Sequence, residues 1–293
     1  MNLEAGTGST PLPSATQQTV TVAANRAIAR DTFRLRLDDP AMARSIRPGQ
    51  FVMVRPAGGT DPLLGRPFAL YDVIRDPTGE PRALDLVYQV VGRGTQALSR
   101  LKPGDVVATW GPLGNGFGPE AAGPVVFVAG GIGQTPFLAL GKWWMGRASY
   151  GAGPSPRTPG VGSATLLYGV RTLDFAAGLA DFEAAGIAVE LATDDGSAGH
   201  RGFVTDLLTR RLDRGDRPAK VVGCGPAPML AALARLVARH GLDCDLSLEN
   251  HMACGFGACF SCVAPIRQAD GSTDLRRVCV EGPIFPARDV VWT

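Results

Sequence analysis

The sequence has few charged residues and no long apolar run, and these absences exclude several classes of protein. Charged residues make up 19% of the chain and the net charge is +2, so there is no basic stripe that would bind nucleic acid. Apolar stretches such as 125–128 and 161–170 are too short or too interrupted to cross a bilayer. Residues 1–18 lack the basic and then apolar pattern of a targeting segment, and their Gly, Ser, Thr and Pro content predicts a disordered tail. We therefore expect a cytoplasmic protein, whose 293 residues allow two or three domains.

Cysteine is scarce, yet four of the six cysteines follow a spacing that is typical of an iron–sulfur centre. The spacing is C-x4-C-x2-C-x16-C, which holds a plant-type [2Fe–2S] cluster through three thiolates of one loop and a fourth from a later segment. Iron in such a cluster requires soft anionic sulfur, and Gly255 and Gly257 give the loop the backbone freedom to wrap around it. The predicted ligands are Cys254, Cys259, Cys262 and Cys279. Because a cluster of this kind transfers single electrons, the sequence predicts a redox protein.

Zinc, a disulfide framework and buried thiols are the alternatives for the same cysteines. Zinc sites favour paired C-x2-C sequences or mixed Cys and His ligands, but the chain has one C-x2-C and His251 lies outside the loop. Disulfides suit small secreted domains, whereas this chain is long and shows no secretory pattern. The cluster is therefore favoured, and Cys224 and Cys244 are expected to be unpaired.

Short alternating segments predict a small antiparallel β-barrel between Thr19 and about Leu113. Apolar residues alternate there with polar or small ones, and turn sequences such as Lys102-Pro-Gly-Asp separate the segments. The segments begin at Val20, Thr32, Gln50 and Leu84.

From Pro124 onward, continuous apolar strands alternate with helical segments, which predicts a doubly wound parallel sheet. The predicted strands are 125–129, 164–170, 187–193 and 220–224, and the predicted helical segments are 137–145, 175–185, 204–212 and 227–240. A small cysteine-bearing segment follows from Asp243. The predicted fold class is thus multi-domain, β followed by α/β, with a small C-terminal cluster domain.

Two motifs of the predicted barrel are suited to a phosphate-bearing ligand. Arg66, held by the following Pro67, can fork onto a diphosphate, although a surface salt bridge is the alternative. Gly92 and Gly94 allow backbone amides to approach a phosphate and Thr95 adds a hydroxyl, although an ordinary turn would also use these residues.

Three further motifs come directly after predicted strands of the sheet, at the edge where ligands of open α/β sheets bind. The turn 130–136, Gly-Gly-Ile-Gly-Gln-Thr-Pro, stands between a buried strand and a helix, as a phosphate-binding turn requires. The segment 223–229 carries Cys224, which is either functional or a buried thiol. The segment 193–197 offers polar groups to a ribose or an amide, or forms an Asx turn.

Taken together, these residues resemble the ferredoxin-reductase superfamily, and within it the electron-transfer subunits of NAD-dependent (class 1B) dihydroorotate dehydrogenases. The resemblance runs from about Thr19 to the end of the chain. Ordinary ferredoxin reductases lack the C-terminal cysteine loop, which makes that part the discriminating one. The matching segments are Arg66-Pro67, Tyr88 to Thr95, Gly111 to Phe117, the turn at Gly130, Cys224 to Met229, Ser247 to Cys259 and Val278 to Phe285.

The resemblance implies an FAD-binding barrel over 19–120, an NAD-binding α/β domain over 121–242 and a [2Fe–2S] domain over 243–293. It also implies a partner, an FMN-containing catalytic subunit that oxidises dihydroorotate in pyrimidine biosynthesis, with two copies of each chain in a heterotetramer. Electrons would pass from that FMN through the cluster and the FAD of this chain to NAD⁺.

The same resemblance assigns residues to each cofactor. FAD would be held by Arg66, Pro67, Phe68, Ala69, Val87, Tyr88, Gln89, Gly94 and Thr95. The nicotinamide nucleotide would be bound by Gly131, Gly133, Thr135, Gly225 and Pro226, with Cys224 as the catalytic residue. The family commonly has Ser in place of Ala69 and a basic residue in place of Gln89, so one hydroxyl and one charge toward FAD are missing here.

Two alternatives for the function and one for the nucleotide remain open. The chain could be the flavin subunit of another redox complex, such as a hydrogenase or a ferredoxin:NAD(P) oxidoreductase, or a non-catalytic iron–sulfur sensor. NADP would require clustered basic residues near the adenosine ribose, and Arg171 is the one obvious candidate. Asp194 and Asp195 would oppose a phosphate, so NAD is expected.

Overall fold

The computed structural model describes residues 15–58, 61–118, 123–151 and 160–292. Most of the predicted tail, residues 1–14, lies outside the described residues. The last three residues of the predicted tail belong to the first strand, which begins at Thr16.

The first part of the chain forms a closed barrel, and six of the described strands build it, all paired antiparallel. Their order around the barrel is β1-β2-β5-β4-β3-β6, and β6 pairs with β1 to close it. The strands are β1 (Thr16–Ala29), β2 (Thr32–Asp38), β3 (Phe51–Pro56), β4 (Arg66–Arg75), β5 (Pro81–Gln89) and β6 (Val106–Leu113). Two short helices belong to the barrel, α1 (Pro40–Ser45) and α2 (Arg93–Ser99). The predicted antiparallel barrel is confirmed.

The second part forms a sheet that contains seven of the described strands, in the order β10-β9-β8-β7-β11-β12-β15. All neighbours are parallel except the last pair, so the predicted parallel sheet is confirmed with one antiparallel edge strand. The strands are β7 (Gly123–Gly130), β8 (Val161–Val170), β9 (Ala188–Thr193), β10 (His200–Arg201), β11 (Lys220–Cys224), β12 (Cys244–Ser247) and β15 (Ile284–Pro286).

Helices cover both faces of this sheet, because its central strands are apolar on both sides. On β7, Phe127 belongs to one buried cluster, together with the first two helices of the sheet, while Val126 and Val128 belong to a second cluster with the last two. This two-sided burial is the reason for the continuous apolar sequence of the strand. The helices are α3 (Phe137–Trp144), α4 (Leu179–Ala184), α5 (Val204–Asp213) and α6 (Ala227–Arg239).

The cysteine-bearing segment leaves the sheet after β12 and returns to it as β15. Between them lie the cysteine loop and a hairpin of β13 (Val263–Arg267) and β14 (Thr273–Arg277). The strand residues on either side of this segment are adjacent, since Ser247 of β12 and Ile284 of β15 are partners in the antiparallel pair.

Partly buried charges join the barrel to the sheet. Asp72 on β4 accepts hydrogen bonds from Lys142 at 2.6 Å and from the hydroxyl of Tyr150 at 2.7 Å. Nearby, the hydroxyl of Tyr71 donates to Asp181 at 2.7 Å, and Arg34 pairs with the same carboxylate. In the described ranges, none of the helices is long and apolar enough to cross a membrane.

Candidate redox site

The carboxyl ends of β7 and β11 form the point at which the strand order of the sheet reverses. The chain runs outward from β7 to β10 on one side and from β11 to β15 on the other, and ligands of open α/β sheets bind at such a point. The turns that follow the two strands are packed backbone to backbone. A Cβ on Gly133 would lie 2.3 Å from the carbonyl oxygen of Cys224, so only glycine permits this contact.

Two cavities flank this point and share two lining residues, Pro226 and Glu249. The first, about 850 Å³, extends from Arg66 and Pro67 on the barrel, past Gly225, to the cysteine-bearing segment. The second, about 650 Å³, is lined by the glycine turn after β7 and by the ends of β8 and β9. Together they form a path from the barrel and the cysteine segment to the glycine turn of the sheet.

The barrel residues predicted to hold a phosphate lie side by side. A Cβ on Gly94 would be 2.9 Å from Nε of Arg66, so the absence of a side chain leaves room for the guanidinium. Arg66 donates to the carbonyl oxygens of Leu64 and Gly65 at 2.8 and 3.1 Å, which fixes its direction. The hydroxyl of Thr95 accepts from the amide of Val91 at 2.9 Å and thus shapes the turn before α2.

The other predicted FAD residues differ in their access to the cavities. Pro67 lines the first cavity and Gln89 the second. Phe68, Val87 and Tyr88 are buried in the barrel and are not among the described residues that line either cavity. They form the wall behind the site, where the ring of Tyr88 lies 5.4 Å from that of Phe68. Ala69, paired with Phe51 on β3, is half-buried.

The predicted nucleotide residues divide in the same way. Gly131, Gly225 and Pro226 line the cavities, whereas Gly133 and Thr135 lie behind them and support the turn.

Cys224 is a buried thiol with a carboxylate beside it. Its side chain is 3% exposed, and its Sγ donates to Oε1 of Glu249 at 3.9 Å. Burial, reinforced by the Glu249 charge, raises the pKa of the Cys224 thiol well above its ordinary value, so this thiol is protonated at neutral pH. Glu249 faces both cavities, and partial loss of hydration raises its pKa as well. Cys224 itself is absent from the described lining of the two cavities, so Glu249 is the member of the pair that a ligand would meet.

The far end of the second cavity combines aromatic and charged side chains. Phe175, Asp194 and Phe203 line it, and Phe203 is 72% exposed. The guanidinium of Arg171 lies 5.1 Å from the ring centre of Phe175, so its charge is directed at an aromatic face.

The cysteine loop brings its four predicted ligand thiols close together. Cys254 interacts with Cys259, Cys262 interacts with Cys279, and Cys279 also feels the charge of Cys254. The hydroxyl of Ser261, 3.2 Å from Sγ of Cys259, and nearby backbone amides lower the pKa of this exposed thiol to about 6. Burial raises the pKa of Cys279 to about 12. Each of the six cysteines, all of which lie in described ranges, is a free thiol.

Two glycines give this loop its shape, as the sequence predicts. Gly255 and Gly257 have φ values of +81° and +88°, a region that residues with a side chain rarely occupy.

The loop is held against the barrel rather than projecting from it. A Cβ on Gly255 would lie 2.6 Å from Cγ of Met53, and the indole Nε1 of Trp110 donates to the carbonyl of Cys254 at 2.8 Å. Asn115, just after β6, donates through Nδ2 to the carbonyl of Ile284 at 3.0 Å.

Comparison with known proteins identifies the two cofactor-binding parts. Residues 19–117 match the model of the oxidoreductase FAD-binding domain, and residues 249–291 match the iron–sulfur cluster binding domain of dihydroorotate dehydrogenase B. The dihydroorotate dehydrogenase B (NAD(+)) electron transfer subunit of Desulforamulus reducens is 37% identical over 266 residues, which cover 90% of this chain and 94% of that protein. This chain belongs to the same family.

Two further known proteins are similar to this chain over nearly its whole length. The electron transfer subunit of Bacillus caldolyticus is 37% identical over 278 residues, 94% of this chain and 98% of that protein. The solved structure of an NADH-dependent reduced ferredoxin-NADP oxidoreductase, studied for flavin-based electron bifurcation, is similar over 98% of this chain and 92% of that chain, with a TM-score of 0.76 and 27% identity.

The cysteine loop fits the cluster of this electron transfer family. No three His, Cys, Asp or Glu side chains in the described part of the chain are grouped as ligands of one metal ion. A [2Fe–2S] cluster instead takes four thiolates, two on each of two irons, and the four neighbouring thiols of this segment supply that number.

Sequence reasoning did not assign three residues that the structure places at the site. Glu249 follows β12 and Phe203 precedes α5, and neither belongs to a glycine or cysteine pattern. Trp110 meets the cysteine loop across 144 residues of sequence. Glu249 lies within the segment Ser247 to Cys259 that resembles the family, and it comes two residues after β12, the neighbour of β11; these local features could have drawn attention to it.

Proposed function

We propose that this chain is the electron transfer subunit of an NAD-dependent dihydroorotate dehydrogenase, in which electrons from dihydroorotate reach NAD⁺ by way of a [2Fe–2S] cluster and FAD. The observation that carries the proposal is the path of two adjoining cavities, which runs from Arg66 and the cysteine segment to the glycine turn after β7. A flavin can exchange single electrons with a cluster and an electron pair with nicotinamide, which is the chemistry that this path requires.

The residues of the chain would position these groups rather than react with them. Arg66 offers its guanidinium to the FAD diphosphate beside Gly94, and Thr95 shapes the turn whose amides face the phosphates. Phe68, Val87 and Tyr88 support the barrel wall behind the flavin.

At the nicotinamide, Gly131, Gly225 and Pro226 would leave space for the ring, and the Cys224–Glu249 pair would orient it. We assign NAD rather than NADP because Asp194 lines the far end of the second cavity, and Arg171, which lines the same cavity, lies against the ring of Phe175. Oxidation of NADH and of NADPH by an artificial acceptor tests this assignment, and a higher kcat/KM with NADPH would overturn it.

The cysteine loop would receive electrons from an FMN-containing catalytic subunit in the cytoplasm, with two copies of each chain. Phe256 and Phe260 flank Cys259 and are 58% and 60% exposed, which supports this loop as the surface that faces the partner. The guanidinium of Arg277 lies 5.0 Å from the ring centre of Phe260 and holds it in place.

The experiment is reconstitution with a dihydroorotate-oxidising FMN subunit. NAD⁺ reduction by dihydroorotate should require this chain, and Cys259→Ser should abolish it while NADH oxidation by a flavin-directed dye is kept. NAD⁺ reduction that proceeds without this chain would refute the proposal.

A second candidate follows from the similarity to the reduced ferredoxin-NADP oxidoreductase, which spans nearly the whole chain. In that case the donor would be a reduced ferredoxin. Reduction of NAD⁺ by ferredoxin, with dihydroorotate inactive in the reconstituted complex, would favour this candidate.

A further inference from the structure

Trp110 stands between the FAD-binding strand and the cysteine loop. Its indole Nε1 donates to the carbonyl oxygen of Cys254 at 2.8 Å, and Cys254 is the first predicted ligand of the cluster. The other edge of the same ring faces Gly65, the residue before Arg66. A Cβ on Gly65 would lie 2.4 Å from the indole Cη2, so a glycine is required for this contact.

The strand that carries Trp110 is itself fixed on both sides. Trp110 pairs with Gln17 on β1 and with Met53 on β3, and Met53 is fully buried under the cysteine loop. A rigid strand therefore presents one side chain to two cofactor-binding segments at once.

We propose that Trp110 is a positioning residue for electron exchange between cluster and flavin, acting through the Cys254 carbonyl and the backbone at Gly65. The exchange moves one electron from the reduced cluster to the oxidised flavin, and the indole neither gains nor loses an electron or a proton. Its ring fixes the relative position of the two cofactor-binding segments, and its N–H sets the field of a carbonyl beside the cluster.

The hydrogen bond has a defined electrostatic sign. An N–H that donates to the Cys254 carbonyl offsets part of the negative charge on that oxygen. Without it, the uncompensated oxygen favours the oxidised cluster, which is the more positive state, and the reduction potential of the cluster falls. Outer hydrogen bonds are known to tune iron–sulfur potentials and to hold ligands in place.

The test uses the full chain loaded with FAD and cluster, without a partner, dihydroorotate or NADH. The role proposed for Trp110 rests on the proposed function. Because no substrate enters the measurement, a failure of the Trp110 role can be distinguished from a failure of the proposed function. Trp110→Phe keeps an aromatic ring and removes the N–H. We expect a lower cluster potential by electron paramagnetic resonance titration, an unchanged flavin potential, and about tenfold faster loss of iron to a chelator. Electron exchange between cluster and flavin, measured after rapid reduction, should be about tenfold slower.

Trp143→Phe is the matched control. Trp143 is buried in the opposite core cluster, and its Nε1 has no hydrogen-bond partner among the described residues. Its replacement should leave the cluster potential and the chelation rate unchanged. Equal effects in both variants, or a Trp110→Phe protein with wild-type potential and chelation rate, would overturn the proposal.

If Trp110→Phe does not assemble with its cofactors, Gly65→Ala provides a second test of the role of Trp110. The added methyl group would displace the indole while its N–H remains in the chain. The cluster signal and the chelation rate should change in the same direction as in Trp110→Phe. An unaltered cluster in a folded Gly65→Ala protein would also refute the proposed role.

Discussion

At the scale of single residues, the surroundings of Cys224 decide which chemistry is open to it. Burial and the neighbouring Glu249 raise its pKa, so the thiol is not a nucleophile at neutral pH. A protonated thiol in contact with a carboxylate can orient a ligand, and Glu249 is the member of the pair that reaches the cavities.

We therefore predict that Cys224→Ala lowers kcat/KM for NADH oxidation by an artificial acceptor by about tenfold, through loss of orientation. Cys224→Ser, which keeps a donor toward Glu249, should retain most of the activity. The raised pKa keeps the thiol protonated between pH 6 and 8, so the pH profiles of kcat/KM for the wild type and for Cys224→Ser should have the same shape in this range. A rise in kcat/KM with pH that occurs in the wild type but not in Cys224→Ser would indicate a reactive thiolate instead.

At the scale of elements, α1 begins with an acidic cap whose charge is poorly hydrated. Oδ1 of Asp39 accepts from the amide of Met42 at 2.9 Å, and the residue is 3% exposed. Burial raises the pKa of Asp39 despite this hydrogen bond. Folding thus favours its protonated form. The stability linked to that form is complete below the unfolded pKa, about 4, and is lost as the pH rises through the folded value.

Asp39→Asn should consequently raise Tm at pH 7 and leave it nearly unchanged at pH 3.5, since Asn also caps helices. Thermal unfolding followed by circular dichroism at the two pH values measures the effect. Asp39→Ala serves as the control, because it loses the cap; it should cost about 1 kcal/mol at pH 3.5 and less at pH 7, where the wild type carries the unfavourable charge. A lower Tm for Asp39→Asn at pH 7 would contradict this account.

The cysteine loop offers a second test at this scale. Gly257 has φ +88°, and a Cβ there would lie 2.6 Å from Cγ2 of Val280, next to the predicted ligand Cys279. Gly257→Ala should prevent the loop from closing, so that iron and sulfide fall well below the wild-type content while FAD is retained.

Gly271→Ala is its control, because Gly271 has φ +85° but no atoms within 4 Å of the added Cβ. It should show the cost of backbone strain alone, about 1 kcal/mol, with a full cluster. Equal iron content in the two alanine variants would mean that the contact with Val280 does not govern cluster assembly.

At the scale of the whole molecule, Asp72 links the barrel to the sheet through Lys142 and Tyr150. The side chains of Lys142 and Asp72 are 26% and 13% exposed, so their pairing is worth more than a surface ion pair. Asp72→Asn should destabilise the protein by about 1–3 kcal/mol, measured by urea unfolding. Asp38→Asn, whose partner Arg82 is well exposed, should cost no more than about 1 kcal/mol. Equal losses of unfolding free energy in both variants would show that burial of the ion pair between the barrel and the sheet adds nothing to stability.

Much of this architecture is encoded in local patterns. Alternating segments give the barrel, continuous apolar strands give the parallel sheet, and the spacing of four cysteines gives the cluster loop. The turns predicted to bind NAD and FAD can be recognised in the sequence because each needs glycine where two parts of the chain approach closely, as at Gly133.

Other features depend on contacts between segments that are far apart in sequence. The hydrogen bond from Trp110 to Cys254 spans 144 residues, and no periodicity predicts it. The burial of Phe68 and Tyr88 also depends on which face of the closed barrel they occupy. Strands as short as β12 and β15 join the sheet by pairing, although three or four residues carry little pattern of their own.

The pairing of Ser247 with Ile284 has a consequence for protein engineering. Antiparallel partners have Cα atoms about 5 Å apart, so a short turn could replace everything between them. The iron–sulfur unit is thus topologically an insertion into a hairpin, and its removal would leave β12 and β15 in place. A different redox module could be inserted at the same junction, with the rest of the flavin reductase chain unchanged.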